Sequence, residues 1–354
     1  ENHPLLHVLH ERLTFLADGQ TSSSLNNRIK VLEQEDMSDI AGGSLVQSWG
    51  SEIVFSQNGI TSMRPLLAED ETSGLRMAAW VALNERGAAQ WIAAEINANG
   101  NMATPQHIAS NLGSMETSPD KGCLVTYRNR FYFVYTGRDG ELDRLYCSIY
   151  DGGSWSIPVP LTGGMSSALK PVAWVGDWQD DNQAELFLAY IADDGMVGQT
   201  ITAWYTLPSS GAQLLDQVVL SANSISRPAL TKHENGFYVA YQGIHLRQSD
   251  LYLCHVQISA NSTSLLPAAS LRLSRNSGEA QAENPSIVIG RHPVSAAEQV
   301  VVVWENSAPA SGTMNQREEV YLATVTGGVV NEPVNLTHSE GHSQSPTLAL
   351  GKDG

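Results

Sequence analysis

Long apolar runs are what this chain lacks most plainly. No stretch approaches the roughly 20 apolar residues that a membrane-spanning helix requires, so insertion into a bilayer is excluded as a reading. Basic residues are also scarce, with 20 Lys and Arg against 37 Asp and Glu, a formal charge of −17 and a pI near 4.9. Affinity for nucleic acid rests on neutralising phosphates with Lys and Arg, so nucleic acid is not an expected partner, nor is an anionic membrane surface. The negative charge reads instead as a solubility device. Cysteines number three. Cys123 and Cys147 fall on the first and third strands of one repeat, about 10 Å apart at ordinary strand spacing, too far for a disulfide. All three, Cys254 included, are expected to be buried free thiols, which permits the cytoplasm or the periplasm. Helix signals are confined to Pro4 to Leu13. The sequence holds no nucleophile elbow, no P-loop and no dinucleotide fingerprint.

What the chain does have is a repeat. Six prolines, Pro65, Pro119, Pro171, Pro228, Pro285 and Pro346, recur at nearly even spacing. Before the last five stand Ile108-Ala-Ser, Leu161-Thr, Leu220-Ser, Leu273-Ser and Leu336-Thr. Each unit has a short apolar run after the proline and a second run ending in an aromatic: Trp80, Tyr135, Tyr190, Tyr241 and Trp304. An alternating third run and the run closed by Leu-Ser/Thr complete it. Runs rich in Val, Ile, Tyr and Trp, punctuated by Gly, Asn, Asp and Ser, are strand and hairpin signals. A fixed period means a repeat architecture, and about four strands in each 50–60 residues match a propeller blade.

The expected fold is therefore all-β, a six-bladed β-propeller in one domain over residues 1–354, with blades beginning near the six prolines. The last repeat stops after its first strand. The runs beginning at Arg12, Arg28 and Glu52 fit the three strands it lacks, so residues 1–60 are expected to complete that blade and close the ring, removing exposed edges. The chain begins at Glu1 without a methionine, which suggests a removed leader or an excised fragment.

Ser148-Ile-Tyr-Asp-Gly-Gly-Ser-Trp155, between the third and fourth strands of the second repeat, resembles the Asp box of the sialidase superfamily. Ser148, Gly152, Ser154 and Trp155 match, Asp151 stands one position late, and Tyr150 occupies the place of the family's Asp. The box is structural in that family, so the resemblance implies a sialidase-like propeller and, with it, glycan recognition and export. The family's first substrate-binding arginine lies in Arg-Ile-Pro. Here Met63-Arg64-Pro65 is one residue short of that motif, and the family's Tyr–Glu pair and acidic Asp have no identifiable counterparts.

Propeller sites lie at the axis, on the face made by loops leading into first strands and joining second to third strands. Residues before the prolines, Arg64, Ser118, Lys170, Arg227, Asn284 and Ser345, are expected there. Arg64, Lys170 and Arg227 would hold a carboxylate or sulfate, unless each pairs with a nearby acid. The loops after the second strands add Glu85, Arg138, Asp139, Asp193, Asp194, His245 and Glu305. Two such carboxylates beside a sugar would serve as acid and base, or else are turn residues.

The predicted function is an exported, secreted or periplasmic protein that binds an acidic glycan or polysaccharide at this axial pocket. A sialidase-like hydrolase or polysaccharide lyase, and a protein-interaction scaffold, are the alternatives. No cofactor is expected. Asp180-Asp181-Asn182 and Asp193-Asp194 offer oxygens for Ca2+ without the spacing of a calcium loop, and His3, His7 and His10 lack partners for a zinc site. His233 and His245 are placed for proton abstraction. Trp49, Trp91, Trp155, Trp174, Trp178 and Trp204 are candidates for sugar stacking, against the alternative that they pack the blades.

Overall fold

The computed structural model describes residues 28–30, 52–54, 65–70, 73–83, 89–97, 99–108, 122–139, 142–163, 167–193, 198–207, 211–245, 248–259, 263–274, 281–291, 297–309, 316–337 and 346–348. Every element among them is a strand. The residues before Arg28, including the predicted helix and the His3–His10 cluster, lie outside the described set, as do Arg64, Glu85, Ser118, Asp194, Ser345 and Trp49.

Five antiparallel sheets follow one another along the chain, each an up-and-down meander. Their first strands are Leu66–Glu69, Gly122–Tyr127, Ser167–Gly176, Ala229–His233 and Gln281–Arg291. The second strands are Arg76–Leu83, Arg130–Asp139, Glu185–Asp193, Gly236–His245 and Glu298–Pro309. Three sheets have four strands; the fourth and fifth have five, because their outer strand is broken in two. First strands of successive sheets lie against one another. The sheets are thus built and placed as propeller blades, radiating from an interior lined by first strands. A further antiparallel pair, Arg28–Lys30 with Glu52–Val54, is also present. Beyond the fifth sheet, Leu348 packs against Val301, Val303 and Leu322, and its amide donates to Ser286 Oγ at 3.0 Å. No helix among the described residues is long and apolar enough to cross a membrane.

The second strands are the core. Phe131–Tyr135, Leu186–Ile191 and Val300–Trp304 are buried throughout, because both faces of a middle strand meet a neighbouring sheet. Their aromatics interlock between sheets: Phe187 stacks on Phe237 at 4.2 Å, and Trp91 of the first sheet meets Phe133 of the second at 5.0 Å. Trp91 and Trp204 are 1 % exposed, so of their two readings these tryptophans take blade packing and not sugar stacking. Trp174 and Trp178 each pack against both Phe187 and Phe237, with the Lys232 ammonium over both indole rings.

The Leu-Ser/Thr signature has a specific physical job. The main chain of Leu161, Leu273 and Leu336 donates to the carbonyls of Leu145, Leu251 and Val320. The next residue's hydroxyl then accepts the amide of that same third-strand residue: Thr162 from Leu145 (2.9 Å), Ser274 from Leu251 (2.8 Å), Thr337 from Val320 (3.0 Å). A side chain thereby replaces the ladder bond that a longer outer strand would have supplied.

Two of the anchor prolines are inside strands. First strands three and five begin at Ser167 and Gln281, ahead of Pro171 and Pro285, and each pairing register shifts there. The residue before the proline, Lys170 (φ 55°) or Asn284 (φ 49°), adopts the left-handed conformation. Proline donates nothing to a ladder, so within a strand it needs a bulge. This corrects the expectation that each strand starts after its proline.

Cys123 and Cys147 face opposite sides of Val134 in the ladder, on the first and third strands of the second sheet. All three cysteines are buried and free, as expected. Burial pushes the Cys147 thiol up to about 12.

Candidate functional site

The site is built where the first strands begin, called here the mouth end. Arg227 leads into the fourth sheet and crosses the interior. Its Nη2 donates to the carbonyl of Gly122 in the second sheet (3.1 Å) and of Pro171 in the third (3.0 Å). One guanidinium nitrogen thus ties three consecutive sheets. Arg227 forms no ion pair among the described residues, and its Nε is buried without a hydrogen-bond partner. The Cys123 thiol lies beside it; burial raises that thiol's pKa and the guanidinium pulls it part of the way back. Lys170, on the bulge of the third sheet, donates Nζ to the Ile225 carbonyl at 2.8 Å. Both bonds go to backbone carbonyls.

Next to Arg227 begins a belt of buried polar groups. Gln242, 0 % exposed on the second strand of sheet four, accepts the Ile225 and Ser226 amides at 3.0 Å each. Its Nε2 donates to Ser249 Oγ (2.8 Å) and to the Ala282 carbonyl of sheet five (3.1 Å). Ser226 Oγ accepts the Asn284 amide at 2.7 Å, and Asn284 Nδ2 donates to Glu305 Oε2 at 2.9 Å. The chain Ser226–Asn284–Glu305 therefore runs from the residue beside Arg227 to a carboxylate that is 8 % exposed.

Glu305 occupies a position that recurs. Each second strand places a residue directly after its aromatic: Val81, Thr136, Ile191, Gln242 and Glu305. Thr136 and Gln242 use it to donate to the carbonyls of Ala168 (3.5 Å) and Ala282, each three residues before the next sheet's proline. An ionised carboxylate has no proton to donate, so Glu305 departs from this rule and accepts instead. It sits within a strand, not in the loop after it, because the fifth sheet's second strand continues to Pro309. Asp139 and His245 end the second strands of sheets two and four, opposite Leu142 and Gln248. The structure thus gathers Lys170, Arg227, Asn284 and Glu305 at one end of the sheets. The Gln242–Ser226 belt that carries them was not foreseen; the alanines three residues before Pro171 and Pro285 were its available signal.

The opposite end holds the first hairpins. Arg128 and Asn129, at φ 50° and 61°, make a two-residue turn of the primed type. Asp70 accepts from the Ser73 and Asn129 amides and the Ser73 and Thr126 hydroxyls. Burial raises its pKa, but these donors outweigh that and hold the carboxyl below its usual range. Asp177 accepts the amides of Asp181 and Asn182 and pairs with Arg128 at 3.3 Å. The Trp178 and Gln179 amides donate to Glu185, whose pKa burial nevertheless raises. The carboxylates proposed for calcium thus flank one that already organises its own loop. Among the described residues no three His, Cys, Asp or Glu side chains are grouped to hold a metal. His233 lies on this hairpin end, at the far end of its strand from Arg227, which corrects its placement for chemistry at the mouth.

The Ser148–Trp155 segment is a hairpin whose Ser148 is buried and whose Trp155 packs on Tyr150 (5.4 Å) and Phe133 (6.3 Å). Gly152 takes φ 96° in its turn. Asp151 is exposed and makes no hydrogen bond among the described residues.

No protein-family model matches the chain, and no curated protein sequence matches it. Solved structures do. A thermostable family-43 glycoside hydrolase matches at 11% identity over 81% of this chain and 96% of its own, with a TM-score of 0.40. A PL25 ulvan lyase, bound to a GlcA–Rha3S saccharide, matches at 12% identity over 77% of this chain and 66% of its own, TM-score 0.46. The Synechocystis apocarotenoid oxygenase matches at 9% identity over 82% and 64%, TM-score 0.46. These structures differ in chemistry and all three scores lie below 0.5, so function is argued from the residues of this chain.

Proposed function

We propose that the chain is an exported, glycan-recognising propeller, secreted or periplasmic, which binds an acidic saccharide at the mouth end of its first strands. In this reading residues 1–354 form one domain of six sialidase-like blades. The strands of residues 1–60 complete the last blade, and the Ser148–Trp155 hairpin is a degenerate Asp box. The observation that carries the binding site is Arg227. A guanidinium held on the interior by two carbonyls, with no acid pairing it among the described residues, keeps its positive charge for a ligand. Lys170 adds a second cation at the same end; Arg64 and Asp194 are assigned to the surrounding loops, and Asp139 and His245 to the ends of the second strands.

A hydrolase or lyase reading is favoured by Glu305. It is a buried carboxylate at the position where the second and fourth sheets carry the proton donors Thr136 and Gln242, and breaks of local rule concentrate at functional sites.

The test is a glycan array probed with wild type, Arg227→Lys and Arg227→Ala, including sialosides and uronate oligosaccharides. Arg227→Lys keeps the charge and loses the fork, so a weakening of about tenfold or more is expected, and more for Arg227→Ala. Retained binding in both variants, or binding confined to neutral glycans, would remove the site. Turnover of the bound glycan that disappears in Glu305→Gln would assign an enzyme; binding without turnover assigns a lectin.

A further inference from the structure

The fourth and fifth sheets are joined by different chemistry at their two ends. At the mouth, Gln242 Nε2 and Ser249 Oγ both donate to the Ala282 carbonyl at 3.1 Å, and Ser226 Oγ holds the Asn284 amide. None of these groups titrates near neutrality. At the hairpin end the tie is a hydrogen bond across the sheets, His233 Nε2 to Glu298 Oε1 at 2.7 Å.

A second histidine stands against the first. The His255 ring lies 4.9 Å from that of His233 and is stacked on Tyr238 at 4.5 Å. The bond to Glu298 places the His233 proton on Nε2, an assignment made from the partner. His233 Nδ1 and His255 Nε2 are both buried and neither has a hydrogen-bond partner. The first hairpin of sheet four brings Lys232 and Glu234 to this end, and sheet five brings Glu298 with its cross-strand neighbour Arg291. Lys232 is turned toward Trp174 and Trp178, on the side of the third sheet.

One proton on this pair is matched by Glu298. A second would bury a further positive charge beside the first, without a carboxylate of its own. Burial, and then the neighbouring His233, lower the pKa of His255; Glu298 opposes them only in part. The sign follows from linkage: a base whose folded-state pKa is lowered gives stability that is present above its unfolded value, about 6.5, and is lost as the pH falls below it.

We propose that His233 and His255 form an acid-sensitive latch between the fourth and fifth sheets, closed with at most one proton and loosened by a second. The mouth end stays tied, so acid opens the seam from the hairpin end alone. Because the pair shares its charge, its two protons enter in separate steps.

The test is hydrogen exchange of the whole protein at about pH 7.5 and about pH 5, corrected for intrinsic rates. Exchange at residues 229–238 and 298–300 is expected to rise about tenfold or more in acid, while residues 281–284 change less than about twofold. His255→Gln should flatten the response. A uniform rise, no rise, or an unchanged response in the variant overturns the latch. Should the variant not fold, NMR titration of the wild-type histidines decides. Two steps at least about one pH unit apart are expected, and a single shared midpoint overturns it.

Discussion

The mouth and the hairpin ends of the sheets solve the same problem, fastening one sheet to the next, with opposite materials. At the hairpin end charge meets charge or ring: Arg128 with Asp177, His233 with Glu298, Lys232 over Trp174 and Trp178. At the mouth, side chains reach for backbone: Gln242 for Ala282, Lys170 for Ile225, Arg227 for Gly122 and Pro171. Carbonyls do not cancel the charge of a guanidinium, and the anionic-ligand site proposed for the mouth rests on Arg227 for that reason.

The contrast can be broken most severely at Gln242. Gln242→Ala strands the Ile225 and Ser226 amides and leaves the Ala282 carbonyl to Ser249 Oγ alone, so a loss of about 3 kcal/mol is expected, read by denaturant unfolding and nearly independent of salt. At the hairpin end, a Cβ added to Gly236 would lie 2.1 Å from the Val256 carbonyl oxygen. Gly236→Ala should therefore cost about 2–4 kcal/mol, visible as a lowered Tm, with the mouth bonds intact by hydrogen exchange. Ser274→Ala removes the hydroxyl that accepts the Leu251 amide, at about 1–2 kcal/mol. Arg128→Ala should be the mildest. The arginine is half exposed and surface pairs are worth about 0.2–1 kcal/mol, an effect that salt should erase. If Arg128→Ala were as costly and as salt-independent as Gln242→Ala, the two ends would not differ as described. The Asp70 carboxyl gives a pH counterpart. Its folded-state pKa is lowered, so its contribution is present above its unfolded value and is lost as the pH falls below it. Acid titration of Asp70→Asn should lack that loss.

Much of the fold was legible because its signals are local. The aromatic-ended runs at Tyr135, Tyr190, Tyr241 and Trp304 are second strands, and Leu161-Thr162 and Leu273-Ser274 close outer ones. The hydroxyl's role was not legible, because its partner amide is set by the sheet and not by the neighbouring sequence. The strand starts were misplaced for the same kind of reason: Pro171 reads as a boundary until a bulge at Lys170 carries the ladder past it. The position of Arg227 before Pro228 was legible, yet its anchor on Gly122, 105 residues away, is tertiary. Tryptophan exposure depends on what the next sheet brings: Phe133 of the second sheet meets Trp91, and Trp204 clusters with Phe237 and Val239 of the fourth. His233 followed an alignment in which both ends of a strand look alike.

The hydroxyl clamp also bears on how the folded protein behaves in a crowd of its own copies. Because Thr162, Ser274 and Thr337 finish the ladder, the outer strands of those sheets are only two or three residues long. Such stubs offer a neighbouring chain almost no template for strand addition. The third sheet is different among those described: its outer strand runs unbroken from Gln213 to Ser221 and exposes Leu214 and Val219. Self-association of the folded protein, where it occurs, should begin along that rim.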